Sequence, residues 1–181
     1  ASVRLAMRRL KAMGFEVTLD EAALTKHQRF GGDDEVRLAA IHRVAQAAPA
    51  IAMATRGGYG ITRLMDRINW KLLARSVAQG TRWVGYSDLT ALQMGLLAHT
   101  GASSWCGPMA SDDFGRAELD EVTPDCFAEA MSGELEAIGF RTEAGFDGLD
   151  AKGVLWGGNL TVLTAMLGTP HWPKVKGGVL F

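Results

Sequence analysis

Ser87, in the segment Gly85-Tyr86-Ser87-Asp88-Leu89-Thr90, has the clearest chemical potential of any residue in this chain. The apolar pair Trp83-Val84 precedes the segment. Leu89, Leu92, Gln93, Leu96 and Leu97 follow at spacings of three and four, so it reads as strand, sharp turn and helix. A hydroxyl at the tip of such a turn projects beyond the sheet edge. The N–H of the next residue, Asp88, then opens the helix where it can face a developing oxyanion. Gly85 carries no Cβ to crowd the turn. Ser87 also fits an ordinary helix N-cap, since serine favours that position. The spacing supports both readings. The turn departs from the Gly-x-Ser-x-Gly of α/β-hydrolases, because Leu89 stands where the second glycine would be.

A second segment, Thr55-Arg56-Gly57-Gly58-Tyr59-Gly60, follows the apolar run 50–54. Three glycines in four positions let the backbone approach a ligand or another loop closely. A phosphate-binding loop would need Gly-Lys-Ser/Thr or GxGxxG, and GGYG is neither. One glycine N–H can instead supply a second oxyanion donor beside Ser87. A glycine turn that serves only packing fits the same pattern.

A serine nucleophile needs a base within about 3 Å. His99 lies on the predicted helix after Ser87, roughly 18 Å along its axis at about 1.5 Å per residue, which is out of reach. His27 falls in an early loop, His42 on a helix and His171 in a turn between Pro170 and Pro173. None has a carboxylate at a telling spacing, and these three read as surface or packing residues.

The elements that must position these groups alternate. A helix over residues 3–13 stops at Gly14, and an alternating strand follows over 15–19. The loop 27–34 ends in Asp33 and Asp34, either of which can cap a helix over 35–47 that Pro49 terminates. Then come a strand over 50–54, the glycine loop, a short helix over 61–68 and a helix over 70–79 ended by Gly80. After the Ser87 turn and its helix, a strand over 103–106 is closed by Gly107-Pro108-Met109. Thr123 as cap and Pro124 at the first helical position start a helix to about residue 131, ended by Gly133. Residues 134–150 read as one or two strands with loops. A strand over 152–156 ends in Gly157-Gly158-Asn159, with Asn159 capping a helix over 160–167, and a final strand begins at Gly178. The pattern predicts an α/β fold with a doubly wound, largely parallel sheet of Rossmann or flavodoxin-like type. Ligands bind outside the carboxyl ends of such strands, where both the Gly57 loop and the Ser87 turn fall.

At 181 residues and 48% hydrophobic composition, the chain can bury a core of its own. A net charge of −1 supplies no attraction for nucleic acid or an anionic membrane. No apolar run approaches the roughly 20 residues of a membrane span. Cys106 and Cys126 form neither a disulfide framework nor a zinc pattern. The sequence opens inside a helical pattern and closes on a strand just begun, as expected of a fragment lacking its first strand.

Five motifs occur in one order: Arg56-Gly57-Gly58-Tyr59-Gly60, Gly85-Tyr86-Ser87-Asp88-Leu89-Thr90-Ala91, Gly107-Pro108-Met109, Leu155-Trp156-Gly157-Gly158-Asn159-Leu160 and Leu167-Gly168-Thr169-Pro170. In these the chain resembles the LD-carboxypeptidase family of serine peptidases, the S66 group, which includes the microcin C self-immunity peptidases. The resemblance implies a nucleophile-bearing α/β domain over 1–133, a linker over 134–152 and the start of a β-rich C-terminal domain over 153–181. It implies a cytoplasmic enzyme that releases D-Ala from murein tetrapeptides by a Ser-Glu-His triad, without metal or cofactor. Ser87 matches the nucleophile, and the N–H groups of Asp88 and of Gly57, or its neighbour Gly58, match the oxyanion hole. Tyr59, Trp156 and Asn159 are candidate substrate-lining residues, though Asn159 is equally a helix cap. The family's Glu and His would follow beyond Phe181, and members are often homodimers. Two other readings fit: a microcin C-type hydrolase of peptidyl-nucleotide amides, and a non-catalytic α/β module holding an anion on its glycine loop.

Overall fold

The computed structural model describes residues 2–139, 141, 143–145, 148 and 150–181. Three short strands, β1 (Ile51–Met53), β2 (Arg82–Gly85) and β3 (Trp105–Cys106), form a parallel sheet in that order. The register pairs Ala52 with Trp83 and Met53 with Val84. Side chains alternate across a strand, so these two pairs face opposite layers. Ala52 and Trp83 join Leu38, Leu73, Leu92 and Leu96 in one core. Met53 and Val84 join Ala6, Leu10, Phe114 and Phe127 in the other. The first core is covered by α2 (Asp34–Ala47), α3 (Trp70–Ala78) and α4 (Thr90–Thr100), the second by α1 (Ser2–Ala12) and α5 (Val122–Ser132). Helices on both faces of a parallel sheet make the α/β, doubly wound arrangement expected.

The caps follow local chemistry. Asp33 Oδ1 accepts the Val36 N–H at 2.8 Å, and Asn69 Oδ1 accepts the Leu72 N–H at 3.1 Å, satisfying first-turn donors of α2 and α3. Asn159 Oδ1 does the same for Val162 at the start of α6 (Leu160–Met166). Helix α5 starts at Val122, so Thr123 lies inside its first turn instead of capping it, and the Asp120 carboxylate ahead of the helix accepts the N–H groups of Val122 and Thr123 at 2.7 and 3.2 Å.

Other expectations change on folding. Residues 15–19 are extended but join no strand pair among the described residues, and Phe15 and Val17 pack under the sheet, so their alternation records one-sided burial. Residues 61–68 form two 3-10 turns, Ile61–Arg63 and Met65–Arg67, instead of one helix. Helix α4 is buried on more than one face, from Thr90 through Leu96, because Ala91 and Met94 pack against Leu163 and Met166 of α6. The described residues of 134–150 carry no strand, and Phe140, Thr142, Phe146, Asp147 and Leu149 lie outside the described residues. The last strands, β4 (Leu155–Trp156) and β5 (Val179–Leu180), pair in parallel as a separate ribbon.

Candidate active site

The C-terminal ends of β1, β2 and β3 converge on Ser87. At the end of β2, Gly85 has φ of 157°, and a Cβ there would meet Leu89 Cδ2 at 2.6 Å, so the turn requires glycine. Ser87 has φ of 57°, a left-handed conformation that costs a non-glycine residue about 1–3 kcal/mol and persists only when its surroundings impose it. They do so here through buried Gln93, whose Nε2 donates to Gly85 O and to Trp105 O, each at 2.9 Å. That amide clamps the ends of β2 and β3 together directly beneath the turn. Ser87 opens a 3-10 turn, Ser87–Leu89, that leads into α4, and it does not cap the helix. Its half-buried hydroxyl has no hydrogen-bond partner among the described residues.

Gly57 closes over this hydroxyl from the end of β1. A Cβ added to Gly57 would lie 3.0 Å from Ser87 Oγ and 3.1 Å from Met109 Cε. The Gly57 N–H points elsewhere, donating to Asp112 Oδ2 at 2.9 Å, and the Gly57 carbonyl accepts from Arg56 Nε at 3.2 Å.

The family resemblance points to the backbone N–H of Asp88, and its side chain acts as well. The carboxylate is 8% exposed and accepts the Ile61 N–H at 3.0 Å and the Gly60 N–H, which latches the far end of the glycine loop to the serine turn. Burial pushes its carboxyl above the ordinary carboxylate range, against those N–H groups and the Arg37 charge, which pull it down. Neither this latch nor Asp112 was recognised from the sequence. The available signal was an Asp-Asp pair shortly after the Gly107-Pro108-Met109 strand end.

The far end of the glycine loop packs on Phe30. Exposed Tyr59 meets it edge-on at 5.5 Å between centroids, and the Arg37 guanidinium lies 4.6 Å over the ring. Arg37 also donates to Gly60 O at 3.1 Å. The Arg63 and Arg37 guanidinium groups hold the Asp34 carboxyl down at about 2. Behind the turn, burial and the neighbouring Asp113 raise the Tyr86 phenol above its usual pKa.

On another side, the Asn159 N–H donates to Thr90 Oγ1 at 3.1 Å, setting the Gly157-Gly158-Asn159 turn against the first residue of α4. Trp156 packs edge-on against Trp172 with centroids 5.5 Å apart. The Asn159 side chain is engaged as the α6 cap.

Two of the histidines pair with each other, and His171 meets a carboxylate that no short spacing in the sequence supplies. His171 Nε2 sits 2.9 Å from Asp66 Oδ1 and its Nδ1 sits 2.8 Å from His99 Nε2, with His99 stacked on Trp70. Those partners are 105 and 72 positions away along the chain, too far for spacing to reveal. Among the described residues, no three His, Cys, Asp or Glu side chains are grouped to hold a metal ion, and no helix is long and apolar enough to cross a membrane.

Parallel strands, a left-handed serine at one strand end and a glycine loop at the next define an α/β domain with a sharp strand-to-helix turn. Residues 1–107 match the LD-carboxypeptidase N-terminal domain and residues 152–181 the LD-carboxypeptidase C-terminal domain, and the chain belongs to the LD-carboxypeptidase family. It is 33% identical over 180 residues to a probable murein peptide carboxypeptidase of Bacillus subtilis (strain 168), covering 95% of this chain and 54% of that protein. Among solved structures, a muramoyltetrapeptide carboxypeptidase from Oxalobacter formigenes superposes with a TM-score of 0.89 at 39% identity, covering 99% of this chain and 60% of the other. A MccF-like protein from Bacillus anthracis (strain Ames) gives 0.84 at 25% identity, covering 99% and 60%. The chain spans about half the length of the curated relatives it matches.

Proposed function

We propose that this chain is the nucleophile-bearing part of a serine LD-carboxypeptidase that releases D-Ala from murein tetrapeptides in cytoplasmic cell-wall recycling. One observation carries the reading: Ser87, held at φ of 57° at a strand end, faces the glycine loop of the adjacent strand. In this mechanism Ser87 Oγ attacks the carbonyl carbon of the scissile amide while a base takes its proton. The tetrahedral oxyanion accepts the N–H of Asp88 and that of Gly58. Gly58 is preferred over Gly57 because the Gly57 N–H already donates to Asp112. Collapse breaks the C–N bond, the base returns its proton to the departing D-Ala amine, and water then hydrolyses the acyl-serine ester.

The base and its carboxylate would be the His and Glu that the family resemblance implies, in the part of the relatives' length that this chain does not span. His99 and His171 are engaged with each other and with Asp66, so neither serves Ser87. Tyr59 and Trp156 line the approach for the peptide, and Asn159 contributes by fixing the turn beside Thr90. The reading needs no metal or cofactor.

The test is D-Ala release from a murein tetrapeptide by the full-length protein and its Ser87→Ala variant. Release that survives Ser87→Ala overturns the reading. The 181-residue chain alone is expected to be inactive, so Ser87-dependent release by it would overturn the assignment of the base. The likeness to a MccF-like protein keeps one alternative in the same assay: cleavage of an acyl-adenylate amide with no tetrapeptide turnover would favour a peptidyl-nucleotide substrate.

A further inference from the structure

After β3 the chain runs back along the exit of β1. The Ala110 N–H donates to Ala54 O at 3.0 Å, the Ser111 N–H donates to Thr55 O at 2.7 Å, and Asp112 places Oδ2 2.9 Å from Gly57 N. Three consecutive residues thus follow β1 out to its glycine loop. They belong to a π-helical turn, Ala110–Phe114, a rare geometry often found at functional sites. Helix α1 braces this turn from behind: Arg9 Nη1 donates to Phe114 O at 2.9 Å and to Arg116 O at 2.6 Å. The two acidic residues in the turn have separate tasks. Asp113 Oδ2 accepts the Met109 N–H at 2.7 Å within its own turn, whereas Asp112 crosses to the neighbouring strand end.

Two adjacent glycines would otherwise leave the Gly57–Gly58 peptide free to rotate. Here the Gly57 N–H is held by Asp112 and the Gly57 carbonyl by Arg56 Nε. In a planar trans peptide the Gly58 N–H points opposite to the Gly57 carbonyl, hence away from Arg56. A flipped peptide would offer a carbonyl oxygen to the oxyanion in place of a donor.

We propose that Asp112 is a positioning residue for acyl transfer: its carboxylate holds the Gly57 N–H and thereby keeps the Gly58 N–H turned toward the oxyanion formed at Ser87. This rests on the serine mechanism above.

The experiment compares the full-length wild type with Asp112→Ala, Asp112→Asn, Asp112→Glu and Ser87→Ala. Two quantities are read: steady-state D-Ala release from murein tetrapeptide and the rate of Ser87 labelling by diisopropyl fluorophosphate. Asp112→Ala is expected to lower kcat about 10²-fold, the usual effect of losing one oxyanion donor. Its KM should stay within about twofold, because the missing interaction belongs to the transition state. Labelling should slow in parallel. Asp112→Asn keeps an oxygen that accepts the Gly57 N–H and should retain most of the rate. Asp112→Glu keeps the charge but displaces it by one methylene and should lose about tenfold. These two variants decide the matter if Asp112→Ala does not fold. Wild-type kcat in Asp112→Ala or Asp112→Glu, a defect in KM alone, or equal losses in Asn and Ala would each overturn the positioning role. Activity persisting in Ser87→Ala would instead overturn the serine reading beneath it.

Discussion

The α-carbon of Gly57 faces the hydroxyl of Ser87 so closely that a methyl group added to it would stand 3.0 Å from Ser87 Oγ. Two strand ends separated by 30 positions in sequence thus meet at van der Waals distance. The space between them is set by the absence of one side chain.

Gly57→Ala should therefore act on rate more than on folding. The added methyl must displace the Ser87 hydroxyl or Met109 Cε by a few tenths of an ångström. Misplacing a reacting group by about 1 Å can lower a rate about 10²-fold, so a drop of at least about tenfold in kcat/KM is expected. Urea unfolding of the same variant should shift by less than about 1 kcal/mol, since one displaced contact is involved. Undiminished turnover would mean the loop does not abut the reacting centre.

Ser87→Gly should be inactive yet more stable than wild type. Glycine relieves the left-handed strain at φ of 57°, and a gain of about 1 kcal/mol in unfolding free energy is expected after the added flexibility of the unfolded chain is deducted. Ser87→Ala keeps a Cβ and should not show the gain. Equal stabilities for the two variants would remove the case for an imposed backbone at Ser87.

Asp88→Ala should destabilise the fold. It strands the N–H groups of Ile61 and Gly60 around a buried site, and an unsatisfied buried donor costs about 1–3 kcal/mol. Asp88→Asn retains an acceptor and should lose less. Denaturation midpoints for the two variants settle the order, and a reversed order would refute the latch.

Stability should fall as the pH drops from about 6.5 toward 5. Burial lowers the pKa of His42, and burial followed by the His171 charge lowers that of His99, both from 6.5. At these two rings the folded state therefore binds fewer protons than the unfolded chain in this window, so their contribution to unfolding free energy rises with pH, by up to about 1.4 kcal/mol per pH unit for each group. The raised Asp88 carboxyl acts in the opposite sense. The mechanism is visible at His42, whose Nε2 must stay unprotonated to accept the Asn69 N–H at 2.9 Å. Carboxylates such as Asp34, held at about 2, lose their contribution only below their unfolded value of 3.8, outside the window. Unfolding data at pH 5 and 7 in an Asp88→Asn background that show no loss, or a gain, contradict the buried neutral state of these rings.

Local chemistry was legible wherever a single element expressed it. Asp33 capping α2, the stop of α3 ahead of Gly80, the apolar strand ahead of the glycine loop and the serine turn all follow from residues within one helical turn of each other. Element ends and strand pairing depended on neighbours that no short spacing reveals. Helix α5 begins at Val122, ahead of Thr123, and residues 15–19 found a core to pack on but no strand to pair with among the described residues.

The sequence by itself determined that a serine would stand at a strand-to-helix turn, that a glycine loop would end the preceding strand, and which family's order of motifs the chain carries. Periodicity and turn chemistry are written in short spacings. Only the tertiary structure decided that Asp112 reaches Gly57 across 55 positions and that His171 meets Asp66 across 105. Such pairings depend on where the chain path brings two strand ends or a helix and a turn together, and no local spacing encodes that path.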